Sequence, residues 1–444
     1  MAEVRDNRLF EVPQPELLAS EPRRVGSKRL RRAVRDQVEL QMCALDDLLE
    51  RDHQARVVWD WVQSLDLSEL EARIPAVEHG PGQAPADPRI LMALWLYATL
   101  RGVGSARELD RLCRDHVAYR WLCGGVSMNY HTLADFRTQH VELLDRLLTQ
   151  SVAALLSEGL VSLDRVAQDG MKVRASAGAA SFRRRPTLEQ ALAEATAQLE
   201  ALQTELEEDP TAGKRRQRAA RERAARDRTA RLQAALDQLD RTESLRKPSE
   251  RDKARTSTTD PDARVMKLAD GGYRPALNVQ LATATDSQTI TGVEVTNSGG
   301  DQGQMAPMVE QLHERYHRPP KAMLVDGGFA KKDDIDQGSP PQGGTTVYAP
   351  VMKSKDPDRD AHTPHRDNDS PAVAGRQRMA TDEARQICQQ RASTAECVNA
   401  QARNRGLQRF VVRGLQKVKA VVLWYVLAHN LMRAAALKRA AAPA

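Results

Sequence analysis

The chain has 444 residues, room for two or three domains with a sizeable core, and only 4% of them are aromatic. Its 66 Lys and Arg against 60 Asp and Glu leave a net charge of +6, a mild excess whose placement matters more than its size. Five scattered cysteines (Cys43, Cys113, Cys123, Cys388, Cys397) form no CxxC pair, so no zinc site can be read from them, and they fit a reduced cytoplasmic protein.

The opening MAEVRDNRLFEVPQPELL has no apolar h-region, so no signal peptide is expected. Residues 1–41 are charged and Arg-rich around RRVGSKRLRRAVR. They read as a basic flexible tail, with an arm on nucleic acid as the other reading.

Residues 42–160 read as an all-α N-terminal domain. Asp87-Pro88 places a cap and a first-turn proline before RILMALWLYATLRG. Ser105 and Glu108 have capping-box spacing before LDRLCRDHVAYRWL, and Thr132 and Asp135 repeat that signal before FRTQHVELLDRLLTQSVAALLSEGL. Trp95, Tyr97, Trp121 and Leu122 are expected in the core.

The next stretch, RVAQDGMKVRASAG, runs from Arg165 to Gly178. A short apolar lead meets Asp169-Gly170, and Lys172 and Arg174 follow. Asp-Gly is a common turn pair. A carboxylate ending a strand beside a glycine and basic residues is also what a metal site facing a polyanion requires.

Residues 186–245 read as an inserted antiparallel helical hairpin. Leu188, Leu192, Ala195, Leu199, Leu202 and Leu206 step at heptad spacing, Asp209-Pro210 breaks the run, and Leu232, Leu236 and Leu239 continue it. Lys214 to Arg231 holds nine Lys/Arg against Glu222 and Asp227; this is a solvated face or a phosphate-facing arm.

Residues 264–296 alternate as strands, with turns at Asp270-Gly271-Gly272 and Asp286-Ser287. QGQMAPMVEQLHERYH is a helix, and KAMLVDGGFA is a short strand ending at Asp326-Gly327-Gly328. Residues 336–378 are rich in Pro, Gly, Asp and His, with TTVYAPV as the strand there. From Thr381 to about 439 the chain is helical. The apolar run Val418 to Leu431 is broken by Lys419, His429 and Asn430 and is too short to span a bilayer, so no membrane partner is expected.

Two strands thus end on Asp-Gly, at Asp169 and Asp326. Glu396 is the last acid in the chain, and nine Lys/Arg follow it, among them Arg403, Arg405, Arg409 and Arg413. Phosphodiester cleavage needs charge neutralised on a pentavalent transition state, which two Mg²⁺ ions can do. Mg²⁺ takes few protein ligands, mostly carboxylates. Two aspartates at strand ends and a helical glutamate would suffice, with basic side chains beyond them on the DNA backbone. The order strand, strand, strand, helix, strand, helix fits an α/β fold of the ribonuclease H-like kind, over 161–185 and 246–440.

On these residues, and on ALDDLLERDHQARVVWDWV (44–62), DPRILMALWLYATLRGVGSARELDRLCRDHVAYRWLCGG (87–125), TTDPDARVMKLADGGYRPALNVQ (258–280), LVDGGF (324–329) and RGLQRFVVRGLQKVKAVVLWYVLAHNL (405–431), the chain resembles a bacterial insertion-sequence transposase of the DDE type, of the group with a Tyr-Arg-Glu-Lys signature helix. The resemblance runs from about 42 to 435. It implies Asp169, Asp326 and Glu396 as catalytic, metal-holding acids, with Mg²⁺ as cofactor and Mn²⁺ able to substitute. It implies cleavage and strand transfer of double-stranded DNA at element ends and target, terminal-repeat binding by the N-terminal helices, a homodimer on DNA, and work at the nucleoid. Lys172, Arg174, Arg391, Arg403, Arg405, Arg409 and Arg413 are the expected DNA contacts. Arg391 matches the signature arginine, one residue further from Glu396 than is usual. Cys388 stands at the tyrosine position and Arg403 at the lysine position. An impaired relic that only binds DNA is the alternative.

Other acids compete for the site. Asp270 and Asp286 are expected in turns, Asp301 at a helix start, and Asp333 on the surface. His429-Asn430 is expected to pack or cap rather than catalyse.

Overall fold

Strand β1, Arg165–Arg174, is the spine of the molecule, and its composition shows why. Val166, Ala167, Met171 and Val173 are buried on its two faces. Their alternation lets one strand serve two apolar layers. The computed structural model describes residues 42–76, 84–208, 215–339, 344–351, 358, 360–363 and 370–442, without the side chains of 205–208 and 215–216. The expected basic tail 1–41, the Asp209-Pro210 break, Lys214, the Leu206 side chain and most of 352–369 lie outside the described residues.

Before β1 come α1 (Gln54–Gln63), α2 (Ser68–Ala72), α3 (Pro88–Leu100), α4 (Ala106–Asp115), α5 (Val117–Cys123), α6 (Tyr130–Gln139) and α7 (Val141–Ser157). The Asp87 carboxylate accepts the Arg89 N–H with Pro88 in the first turn of α3, and Ser105 accepts the Glu108 N–H, as their spacing predicts. The Thr132/Asp135 signal is overturned. Asn129 is the cap, accepting from the N–H groups of His131 and Thr132, and Thr132 lies inside α6. Trp95, Tyr97 and Leu122 are buried. Trp121 is only half-buried, with its indole donating to Asp46 at 3.0 Å and the Arg56 guanidinium over its ring.

After β1 come β2 (Phe182–Arg183), α8 (Arg185–Glu208), α9 (Arg215–Ser244), β3 (Thr256–Ser257), β4 (Arg264–Lys267), β5 (Tyr273–Ala284) and β6 (Ile290–Thr296). Helices α8 and α9 form the hairpin. Leu188, Ala195, Leu232, Leu236 and Leu239 bury one seam, and Arg185 clamps its base by pairing with Asp240 and Glu243. Then follow α10 (Met305–Tyr316), β7 (Ala322–Leu324), α11 (Lys332–Gly338), β8 (Thr346–Tyr348), α12 (Pro371–Arg378), α13 (Asp382–Arg391), a π turn at Ala392–Glu396, α14 (Cys397–Asn404) and α15 (Leu415–Ala441).

The main sheet runs β4-β5-β1-β7-β8, with β6 also on β5. Strands β1, β5 and β6 pair antiparallel, whereas β7 and β8 lie parallel to β1. The molecule is an α/β protein. One sheet face, with Val166, Ala282 and Met323, packs on Met305, Met308 and Leu312 of α10. The other, with Met171, Val173, Leu277 and Val279, packs on α14 and α15, and its core continues into α1 and α3 to α7. From Leu45 onward the chain is one compact unit.

Two expectations for the C-terminal region change. The helical run breaks over 405–414, where Gly406 and Gly414 take φ of 91° and 85°. The broken segment lies against the end of β1, with the Phe410 N–H donating to the Arg174 carbonyl at 2.8 Å. And α15, at 27 residues, is by length and composition apolar enough to cross a membrane, so the expectation of a run too short does not hold. Its apolar residues are buried against α3, α6, α7 and β6, which is how a core helix of a packed domain also reads.

His429 and Asn430 cap the turn between β5 and β6. Asn430 accepts from the Ile290 N–H at 2.9 Å and donates to the Ile290 carbonyl at 2.7 Å. His429 Nε2 lies 2.8 Å from the Gln288 carbonyl. Burial pushes the His429 pKa down from 6.5 to about 4, helped by Arg405 and Arg433 nearby. A histidine kept neutral in the fold stabilises it fully above about pH 6.5. That contribution, on the order of 3 kcal/mol, is lost as pH falls toward 4, because the unfolded chain takes the proton first. The apparent melting temperature of His429→Gln is therefore expected to fall less than that of wild type between pH 6.5 and 4. Parallel pH curves would show that His429 does not titrate this way.

Candidate active site

Asp169 is not at a strand end. β1 runs on through Gly170 to Arg174, and the whole stretch pairs with β5, Asp169 opposite Leu281 and Gly170 opposite Gln280. The Asp-Gly pair is thus neither a turn nor a terminus. Its glycine answers a close approach: a Cβ there would overlap Asp301 Oδ1 and lie 2.6 Å from Gln280 Nε2.

The Asp169 side chain is largely buried. Its Oδ1 accepts the Gly170 N–H at 3.0 Å, and its Oδ2 accepts from Asn399 Nδ2 at 2.9 Å. Burial raises its pKa, the Arg391 charge opposes that, and the Asp326 charge adds to the rise. Asp326 lies two residues beyond β7 in a turn, where its Oδ1 accepts the Gly328 N–H at 2.8 Å. The parallel pairing of β1 and β7 brings the two aspartates together.

Glu396 ends the π turn and is half exposed. Arg391 Nη2 binds Glu396 Oε1 at 2.7 Å, and Arg391 Nη1 lies 3.8 Å from Asp169 Oδ1. One guanidinium therefore links the two acids, and Arg391, expected on DNA, is engaged within the site. The extra residue between Arg391 and Glu396 coincides with the π turn, which admits one residue more per turn than an α-helix, a device frequent at functional sites. Cys388, one helical turn before Arg391, is half-buried, and burial pushes its thiol pKa up.

Lys172 and Arg174 follow along β1, half-buried and exposed respectively. Arg409 forms a bridge with Arg174, and Arg413 Nε donates to the Ser176 carbonyl at 3.1 Å. Arg403, Arg409 and Arg413 are exposed. Arg405 is turned inward, lining a small pocket with Tyr425 and His429, and burial lowers its pKa.

Among the rival acids, Asp270 and Asp286 are turn residues as expected, accepting from the N–H groups of Gly272 and Ser162, and Asp333 is exposed. Asp301 does not start a helix. The N–H groups of Gly303, Met305 and Ala306 at the head of α10 are taken by Asp334, whereas Asp301 faces β1 and β5. Asn399 was also missed. Its signal is weak: it lies three residues after Glu396, on the same side of the helix.

The donor set suits a hard cation: carboxylate oxygens on Asp169 and Asp326, close enough for the Asp326 charge to raise the Asp169 pKa. Among the described residues no three carboxylate, His or Cys side chains converge on one point. Glu396 is engaged by Arg391, which also lies 3.8 Å from Asp169 Oδ1.

Residues 43–139 match the family described as Transposase domain (DUF772), and residues 352–435 match the family described as Transposase DDE domain. No curated protein and no solved structure gives a significant match.

Proposed function

We propose that this chain, which its two domain matches support as an insertion-sequence transposase of the DDE type, binds the terminal repeats of its element and cleaves and rejoins double-stranded DNA there. The observation that carries this reading is the junction of Asp169, Asp326 and the Arg391–Glu396 pair at the centre of one sheet. The strand path, three antiparallel strands continued by two parallel ones with a late helix supplying the glutamate, supports a ribonuclease H-like catalytic fold.

In the reaction, an oxygen of water or of a 3′-hydroxyl attacks phosphorus, its proton is released, and the opposite P–O bond breaks in line. Asp169, Asp326 and Glu396 would hold Mg²⁺, or Mn²⁺ in its place. Bound there, the metal supplies charge neutralisation for the pentavalent transition state and activation of the nucleophile. Asn399 and the Gly170 N–H orient the Asp169 carboxylate so that it meets the cation without rearranging. Arg391 keeps Glu396 beside the pair and offsets its charge.

From Asp169 to Arg174 the strand covers roughly 17 Å, about five base pairs of duplex. Lys172 and Arg174 point to the face of β1 opposite Asp169, so a duplex at the acids would meet the exposed Arg403, Arg409 and Arg413 rather than those two. These side chains neutralise phosphates without reading sequence. Terminal-repeat recognition falls to the helices within 42–160, and bringing two ends together makes a homodimer on DNA, at the nucleoid, the natural assembly.

The test is cleavage of a labelled duplex carrying the element's flanking repeats, with Mg²⁺, by wild type and Asp169→Asn side by side. Cutting by wild type alone is expected. Equal cutting by both would remove Asp169 from the site, and no cutting by either, with DNA bound, would reject the enzymatic reading.

A further inference from the structure

Asp301, expected merely to start a helix, lies against β1 at Gly170, directly after Asp169. It lies in the connection between β6 and α10, and its Oδ1 accepts from Asn278 Nδ2 and Gln280 Nε2, both at 2.7 Å. Asn278 and Gln280 are buried on β5, opposite Lys172 and Gly170 of β1. The missing Cβ of Gly170 makes room for the carboxylate directly after Asp169. Gly328, two residues after Asp326, also turns its open side this way: a Cβ there would lie 2.9 Å from Asp326 Oδ1 and 3.8 Å from Asp301 Oδ2. So a glycine beside each of the two site aspartates faces Asp301.

The surrounding amides are organised but not satisfied. Gln168 Nε2 donates to Gln280 Oε1 and to the Gln304 carbonyl, both at 3.0 Å. Gln168 Oε1 and Asn278 Oδ1 are buried and take no hydrogen bond among the described residues. A buried acceptor without a donor is unfavourable, and here two of them stand beside a carboxylate that caps no helix. Fold stability alone does not call for that arrangement.

Successive side chains of a strand point to opposite faces, so Asp301 approaches β1 from the side opposite the Asp169 side chain. We propose that Asp301 is a positioning residue of this centre: from behind β1 it adds a third negative charge near the Asp169–Asp326 pair and so raises the affinity of the pair for a divalent cation. This rests on the reading of Asp169 and Asp326 as the cation-holding pair.

The experiment is calorimetric titration of the full chain with Mn²⁺, without DNA, for wild type, Asp301→Asn, Asp301→Glu and Asp326→Asn, with melting curves of each. Asn keeps an acceptor for both amides and loses only the charge, whereas Glu keeps the charge in a poorer fit. Asp301→Asn is expected to bind Mn²⁺ about tenfold more weakly, in the range typical of groups behind the metal ligands, with its metal-free melting temperature unchanged or raised. Asp301→Glu is expected to bind more tightly than Asp301→Asn. Affinity in Asp301→Asn within twofold of wild type, with Asp326→Asn impaired, overturns the role of Asp301 and leaves the catalytic reading standing. So does tighter binding by Asn than by Glu. Wild-type affinity in Asp326→Asn overturns the pair itself, and the inference with it. Should Asp301→Asn fail to fold, Asn278→Leu decides the matter. It removes one of the two bonds seating the carboxylate and keeps the charge; weakening of about threefold supports the role, and unchanged affinity rejects it.

Discussion

Glu396→Gln is expected to lower DNA cleavage about a thousandfold while binding of the same duplex stays within about twofold. Glutamine matches the glutamate in size and helix propensity, so the π turn and α14 keep their shape. It cannot offer an anionic oxygen to a cation, and a metal's stabilisation of transition-state charge is worth several kcal/mol, each 1.36 kcal/mol being tenfold in rate. It also frees Arg391, which holds the Glu396 carboxylate at 2.7 Å. The released guanidinium lies beside Asp169 and gives phosphate one more positive contact, so binding is not weakened. Single-turnover cleavage and filter binding on one duplex separate the two effects. Cleavage within tenfold of wild type would mean that Glu396 serves only as the ion-pair partner of Arg391. Cleavage and binding lost together would place it in DNA binding instead.

The sequence showed the site in fragments, and physical distance explains which fragments. The strands around Asp169 and Asp326 were legible because their apolar runs are local, although β1 runs on past its Asp-Gly pair to Arg174. That same pair misled at Asp169, since a glycine after an aspartate reads as a turn. Its real cause is Asp301, 131 residues further on, pressed against the β1 backbone, and no local pattern announces such a contact. Asp301 itself was misread because an Asp shortly before an amphipathic run is usually a cap; here Asp334, beyond that helix, takes the cap. The irregular spacing between Arg391 and Glu396 was visible as one surplus residue, but only backbone geometry shows it coinciding with a π turn. Asn399 carried no signal beyond its distance from Glu396. Cap signals at Asp87 and Ser105 were local and correct, while the Thr132 signal lost to the nearby Asn129, an equally good cap closer to the true start.

Trp424→Ala is expected to destabilise the whole chain from Leu45 onward by about 4 kcal/mol, in the upper range for large-to-small core changes. Trp424 is fully buried on α15, with its ring 6.1 Å from that of Phe136 on α6. Its Nε1 donates to the Arg137 carbonyl at 2.9 Å. Arg137 in turn lies over the Trp95 ring at 4.7 Å and donates to the Gly104 carbonyl. Removing the indole opens a cavity at the meeting point of α3, α6 and α15 and leaves a buried carbonyl without its donor. Trp424→Phe keeps most of the volume but not the bond, and is expected to cost about half as much. The stronger consequence concerns cooperativity. Because α15 shares one apolar core with α1 and α3 to α7 as well as with β5 and β6, the helices that match the transposase domain cannot melt before the sheet that carries Asp169. Denaturant unfolding of Trp424→Ala, followed by far-ultraviolet circular dichroism and by tryptophan fluorescence, should give coincident transitions at a lower midpoint. Two separated transitions would show that the helices within 42–160 fold independently of the sheet. A substitution in α15 would then act on DNA-end binding and on cleavage separately rather than together.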